Sequence, residues 1–281
     1  MTADRATVCR TMTRTKRLLI LISACALALI AGCKASGSDQ GDVAGLLVKA
    51  GQFPWMASVQ FDPGGADHWL CGGSLVAPKW VLTAKHCHEK EDSQDPSLWQ
   101  VRVNSIEWET GGTLVSVARF FDYPDDDIDL SLVQLTEPVD GVTPVAYAQP
   151  ADTAPYQVGA TAITMGWGTQ TEQEDTATAV LDWVPQVTTP PERCGGGENG
   201  IFCAGRPGGA GSGTCQFDSG APYLYSALGF TSDGTPIGTP LVAGTLRGLF
   251  NESCGQAGED DDWASVSAGS DWIANTIAAH P

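Results

Sequence analysis

Three side chains of this 281-residue chain are of the types that acyl transfer needs. His86 lies in Trp80-Val81-Leu82-Thr83-Ala84-Lys85-His86-Cys87, and Asp129 in Asp127-Ile128-Asp129-Leu130-Ser131-Leu132. Ser219 lies in Thr214-Cys215-Gln216-Phe217-Asp218-Ser219-Gly220-Ala221-Pro222. A serine hydroxyl is a weak nucleophile until a histidine takes its proton, and a carboxylate that accepts from the other ring nitrogen holds that histidine in the right tautomer. Singly, each residue is ordinary. A histidine before a buried cysteine is more often structural, an aspartate entering an apolar strand is usually a turn charge, and Asp-Ser-Gly is a common turn. Their meaning lies in the combination, which requires a fold that gathers positions 86, 129 and 219.

The elements available to gather them are mostly strands. The 33 Gly and 17 Pro break the chain into short segments, and the runs Trp80–Thr83, Gly112–Val117 and Pro240–Ala243 are β-branched or apolar stretches between turn residues. Only the end reads as helical: Trp272, Ile273, Thr276 and Ile277 fall at helical spacing after Ser270 and Asp271. There is no low-complexity tract, long charge run or solenoid repeat. Such a pattern suits one large all-β domain with two cores.

The start of the chain reads as an export signal. Residues 1–17 carry five basic residues and one acid, and Leu18 to Gly32 is a 15-residue, almost wholly apolar run. That is short for a membrane span and has the layout of a secretory signal peptide, with Met12 a second candidate start. The run ends in Leu29-Ile30-Ala31-Gly32-Cys33, which resembles the bacterial lipobox, where the signal is cut before a cysteine that is then lipidated. The plainer reading is an ordinary signal with an incidental cysteine. The lipobox reading makes 1–32 the signal, Cys33 the lipid attachment point and 33–41 a polar tether, and leaves 42–281 as the folded domain. Acyl chains hold a protein on a membrane without a spanning helix. Lys34, by resemblance to lipoproteins of two-membrane bacteria, favours sorting to the outer membrane. The expected location is therefore the cell envelope, with secretion as the alternative.

Removing residues 1–32 leaves 10 basic and 32 acidic residues, a net charge of −22. Such a surface repels nucleic acid and anionic headgroups, so neither is expected as a partner. Of nine cysteines, Cys9 and Cys25 fall in the signal and Cys33 at its end; Cys71, Cys87, Cys194, Cys203, Cys215 and Cys254 remain. An even number in an oxidising compartment suggests disulfides, although spacing alone cannot choose the pairing. Metal ligation is the rival reading, but neither a Cys-x-x-Cys pair nor a histidine cluster accompanies these positions. Asp125-Asp126-Asp127 lacks a calcium-ligand spacing and reads as solvated surface. No cofactor or metal is expected, and a monomer is the expected state.

The motifs and their flanks resemble the trypsin/chymotrypsin family of serine proteases, from about Asp42 to Ile277. The order His, Asp, Ser is that family's. Gly51-Gln52-Phe53-Pro54-Trp55, Cys71-Gly72-Gly73-Ser74-Leu75-Val76, Gly166-Trp167-Gly168-Thr169, Phe202-Cys203-Ala204-Gly205 and Asp271-Trp272-Ile273 look like its landmarks. The resemblance implies two six-stranded antiparallel β-barrels with a C-terminal α-helix, and the pairs Cys71–Cys87, Cys194–Cys203 and Cys215–Cys254. It implies a serine endopeptidase acting on polypeptides, with Ser219 as nucleophile, His86 as base and then acid, and Asp129 as the orienting carboxylate. The backbone N–H groups of Phe217 and Ser219 would form the oxyanion hole. A protease-like binding protein that has lost turnover, or an esterase using the same serine, are the alternatives.

Three positions depart from the family pattern. Phe217 stands where glycine is usual; its N–H survives, but its backbone is expected to need a conformation glycine adopts more easily, and its side chain is expected to narrow the leaving-group side. Asp42-Val43-Ala44-Gly45 replaces the family's activation sequence, and no Lys or Arg lies between Lys34 and Lys49. Asp218 therefore needs either an amine freed by some other cut near Asp42 or a different partner, because an unpaired buried carboxylate is costly. Gly213 aligns with the floor of the primary pocket, where a tryptic enzyme has a charge. Asp261 aligns with a neighbouring wall and could restore a preference for Arg or Lys; the other reading makes Glu259-Asp260-Asp261-Asp262 a solvated acidic turn. Gly244-Thr245-Leu246-Arg247-Gly248-Leu249 is the expected substrate-pairing strand, with Gly248 and Leu249 on the pocket wall and Arg247 or Leu249 able to neutralise or block it.

Overall fold

The structure is a computed structural model that describes residues 45–62, 64, 69–89, 93–195, 200–211, 213–249, 254–258 and 260–281. The chain divides into Met1–Ser38 and Asp39–Pro281. The signal, Cys33, the tether and Asp42-Val43-Ala44 lie outside the described residues. No helix among the described residues is long and apolar enough to cross a membrane.

A short strand β1 (Leu46–Leu47) precedes the first barrel. That barrel is built from β2 (Met56–Phe61), β3 (Trp69–Ala77), β4 (Trp80–Thr83), β5 (Trp99–Val103), β6 (Thr113–Asp122) and β7 (Ser131–Leu135). All neighbours are antiparallel, and the sheet closes in the order β2-β3-β4-β7-β6-β5. The period-2 pattern explains the closure: in β5 the residues Trp99, Val101 and Val103 are buried while Gln100 and Arg102 alternate outward. Trp99 is fully enclosed and meets Phe61 at 5.2 Å between ring centroids. Burying a side chain of this kind contributes about 1.5–3 kcal/mol.

After β8 (Ala146–Tyr147), the second barrel comprises β9 (Thr161–Gly166), β10 (Asp182–Thr189), β11 (Ile201–Gly205), β12 (Pro222–Tyr225), β13 (Leu241–Leu249) and β14 (Asp261–Ser265). Its six strands run antiparallel in the order β9-β10-β11-β14-β13-β12 and close by the β12–β9 pairing, with β1 and β8 added outside this ring. Phe202, Tyr223 and Trp263 fill it in edge-to-face contacts, 5.1 Å between the first two rings and 5.3 Å between the last two. The two barrels are those the resemblance implies. The segments Pro240–Ala243 and Gly244–Leu249, read separately in the sequence, form one continuous strand, β13.

The helix α1 (Val266–Ala279) starts earlier than Ser270, the start its sequence signals suggest. β14 runs straight into it: the Ser265 N–H still donates to Gly200 O at 2.7 Å, and Val266, Gly269, Ser270 and Ile273 are buried. Packing, rather than a polar cap, sets this boundary. The disulfides pair Cys71 with Cys87, Cys194 with Cys203, and Cys215 with Cys254. The first ties β3 to the turn carrying His86, and the third ties the Ser219 loop to the segment after β13. Bonds of this kind belong to an oxidising compartment. Among the described residues, no group of three or more His, Cys, Asp or Glu is placed to hold a metal ion.

Candidate active site

β4 ends at Thr83, and the chain turns at once into a 3₁₀ helix, Lys85–His88. This tight turn presents His86 to the loop between β6 and β7. Ile128 and Leu130 are buried on either side of Asp129, so the loop is pinned by apolar anchors that leave the carboxylate pointing at the histidine. Asp129 makes a two-point clamp: His86 Nδ1 lies 2.6 Å from Oδ2, and the His86 backbone N–H donates to Oδ1 at 2.9 Å. His86 keeps 38 % of its side chain exposed while Asp129 keeps 10 %, so the outer edge of the ring faces the cleft. The purely structural histidine of this turn is His88. Its Nε2 lies 3.0 Å from Asp122 and 3.1 Å from Ser131 Oγ, and its ring stacks on Phe120 at 3.9 Å.

The Ser219 loop comes from the second barrel and is fastened to the first. Gly72 N–H on β3 donates to Ser219 O at 2.7 Å, and Thr83 Oγ1 donates to Gly72 O at 2.7 Å. Gly220 has φ +77°, and a Cβ there would lie 2.3 Å from Thr83 Oγ1, so only glycine permits this approach. Phe217 also has positive φ, 74°. A left-handed non-glycine residue costs about 1–2 kcal/mol, and the fold supplies this through the contacts around it. The N–H groups of Asp218, Gly220 and Ala221 donate to Cys215, Leu246 and Asp218 carbonyls. The N–H groups of Phe217 and Ser219 make no hydrogen bond to any described residue. Two alternate donors are thus left unpaired beside a half-buried serine. His86 is bonded to Asp129 and not to Ser219 here; such contacts often tighten only with substrate.

Asp218 fixes this loop from beneath. Its carboxylate accepts from Gly168 N–H at 2.8 Å and Cys215 N–H at 3.0 Å. A Cβ on Gly166 or Gly168 would lie 1.9 or 2.0 Å from its oxygens, so both glycines of Gly166-Trp167-Gly168 make room for it. Burial pushes its carboxyl up to about 7, with the Cys215 N–H working against the shift and the charge of Asp182 adding to it. Asp182, at the start of β10, is itself raised to about 6 by burial. Sequence reasoning missed Asp182; its only signal is an acid within the apolar run Val180-Leu181-Asp182-Trp183-Val184. Two backbone donors, and no described cation, are the partners that Asp218 has in this structure.

A sequence profile described as Trypsin matches residues 42–272. The chain is 30 % identical to trypsin 5G1 of Aedes aegypti over 82 % of its own length and 83 % of the relative's. It is 31 % identical to a trypsin of Phaedon cochleariae over 79 % and 82 %, and 27 % identical to kallikrein 1-related peptidase b27 of Mus musculus over 85 % and 90 %. The chain belongs to the trypsin family. It is a serine-type endopeptidase, a hydrolase whose substrates are polypeptides.

The candidate specificity residues of this protease sit together at the β11–β14 end of the second barrel. Asp261 opens β14 fully buried; Oδ2 accepts from Gly213 N–H at 3.0 Å and Oδ1 from Thr214 Oγ1 at 2.8 Å. Gln186 Nε2 lies 3.5 Å from Oδ2, a neighbour the sequence did not suggest. Burial raises the Asp261 carboxyl well above the usual range, against the pull of its Gly213 and Thr214 hydrogen bonds. The solvated-turn reading does not hold for the described acids. Asp260 is buried in a two-point pair with Arg193, at 3.0 and 2.9 Å, and Asp262 pairs with Arg247 at 2.7 Å. Arg247 falls at a bulge between Leu246 and Gly248, so it pairs with Asp262 rather than neutralising Asp261. Gly248 and Leu249 stand opposite Asp262 and Asp261 on β13.

The raised pKa of Asp218 has a consequence for stability. A carboxyl whose folded pKa exceeds its unfolded value favours folding fully below the unfolded pKa, and loses that advantage as pH rises through the folded value. The full-length, uncut protease should therefore lose stability between about pH 4 and pH 7. Thermal melts of Asp218→Asn should show a shallower decline over this window than the parent, with Asp182 and Asp261 supplying what remains. Parallel declines would contradict the assignment.

Proposed function

We propose that His86, Asp129 and Ser219 form the catalytic triad of an exported endopeptidase, the carrying observation being the two-point clamp of Asp129 on His86, three residues after the Thr83–Gly72 contact that fastens the Ser219 loop. Ser219 Oγ attacks the scissile carbonyl as its proton passes to His86 Nε2. Asp129 accepts from Nδ1–H, fixes the tautomer and stabilises the imidazolium that forms. The carbonyl oxygen, now an oxyanion, is received by the unpaired N–H groups of Phe217 and Ser219; one such donor is typically worth about 10²–10³ in kcat. His86 returns the proton to the leaving amine, and water then repeats the sequence on the acyl-enzyme. Phe217 already holds the positive φ at which its N–H is free, which favours a working enzyme over a binding protein that has lost turnover.

The Cys33 lipid anchor, outer-membrane sorting and a monomeric state complete the reading. The anchor rests on the lipobox-like Leu29-Ile30-Ala31-Gly32-Cys33, and the sorting on Lys34. An amine freed by a cut near Asp42 is the cation that would complete the Asp218 site, and the same cut would release the domain from its lipid. Asp261, which accepts from Gly213 N–H, is the acid that would favour Arg or Lys at P1.

Replacing Ser219 by Ala, or His86 by Ala, should each lower casein hydrolysis by about 10⁶-fold, and the double variant should fall little further, because the groups act as a unit. Casein hydrolysis that survives Ser219→Ala would rule out the triad. In a peptide library varied at P1, the Asp261 reading predicts cleavage after Arg or Lys; cleavage after Leu or Ala would contradict it.

A further inference from the structure

Two clefts border the proposed His86–Asp129 pair and the Ser219 loop. One is lined by Lys85, His86, Asp129, Arg247 and Gly248. The other is a cleft of about 490 Å³ that reaches the loop at Phe217 and is walled by Phe61, Trp69, Leu70 and Trp108. Its volume lies within the range of about 300–1,000 Å³ typical of ligand sites.

The second wall is fixed in place. Phe61 and Trp69 stack at 4.1 Å, and the Trp69 indole N–H donates to Cys87 O at 3.1 Å, the residue after His86. Trp108 is held by its carbonyl, which accepts from Gln60 Nε2 at 2.6 Å and Arg102 Nε at 2.8 Å. Phe217 packs against the larger hydrophobic core while remaining partly exposed. The side chain expected to narrow the site thus becomes part of a subsite wall. Leu114, 43 % exposed, adds apolar surface at the opening. The charged lining is acidic: Asp62, Glu109 and Asp175 are exposed there, and the guanidinium of Arg102, its cation, also donates to Gly111 O at 2.6 Å.

We propose that this cleft binds the substrate on the leaving-group side of the scissile bond, and that it selects a bulky apolar or aromatic residue accompanied by Lys or Arg. The proposal rests on the triad reading above. With the acyl portion on Ser219 and running along β13 past Arg247 and Gly248, the departing portion extends the other way, over Phe217. The aromatic walls supply apolar burial, and the three acids supply attraction for a basic neighbour.

Partitioning of an acyl-enzyme isolates this side of the site. The acyl-enzyme is formed from a small ester, and Gly-Gly, Phe-Gly, Gly-Phe, Phe-Arg and Phe-Glu amides compete with water for it. The ratio of aminolysis to hydrolysis is read within each protein, so it does not depend on total rate. At least one of the Phe amides should be captured about tenfold better than Gly-Gly, the scale of one apolar contact, and Phe-Arg better than Phe-Glu. Trp108→Ala should erase the aromatic advantage, and Glu109→Lys, at an exposed position, should reduce or invert the Arg-over-Glu preference. In parallel, calorimetry measures binding of the same amides to Ser219→Ala protein, where no acyl-enzyme is needed. Equal partitioning or equal binding of all the amides overturns the subsite and leaves the triad standing. If no acyl-enzyme forms, the triad reading fails and the binding arm alone decides the subsite.

Discussion

The active-site region depends on one buried carboxylate. Asp218 lies between two glycines that leave room for nothing else, and two backbone N–H groups hold it. Moving it would move Phe217 and Ser219 on either side. Its position links the Gly166-Trp167-Gly168 turn, the Cys215 base of the loop and the two donors left free above it. Among the described residues only neutral donors serve it, so this buried carboxylate prefers its proton, and the nearby Asp182 strengthens that preference. The site is thus electrostatically incomplete in a way that a cation would finish.

The two barrels divide the work. The first supplies His86 and Asp129 on tight turns between strands, with apolar residues anchoring both turns. The second supplies Ser219, the β13 edge and the Asp261 cluster. They meet through backbone contacts at Gly72 and Gly220, where a methyl group at position 220 would collide with Thr83. With the proposed base and orienting acid on one rigid barrel and the proposed nucleophile on the other, short bonds between β3, β4 and the serine loop set their relative geometry.

The proposed reactive residues could be singled out because each sits in a motif whose flanks carry it: Cys87 after His86, Leu130 after Asp129, Cys215 before Ser219; the disulfide pairs, which spacing alone left open, came with the family resemblance. The strands were legible from β-branched runs between glycines and prolines. The start of α1 was not, because Ser265 is still a strand residue and the burial of Val266 decides where the helix begins. The side chain of Phe217 was read as an obstruction; its direction depends on a positive φ that no sequence pattern announces. Asp182 and Gln186 were invisible for a related reason: they act on residues 36 and 75 positions away, and only barrel closure brings them near. The acidic run at 260–262 left two readings open, since three consecutive aspartates look solvated until each is seen against its own partner.

The central claim is that Ser219 is activated in the folded protein although Phe217 occupies the oxyanion loop. Incubation of the native protein with a small fluorophosphonate, followed by mass-spectrometric mapping, tests it most directly. The account predicts one label per chain, on Ser219, which is lost on unfolding and in His86→Ala. An unlabelled Ser219 in folded protein, or labelling that persists equally after unfolding, would contradict it.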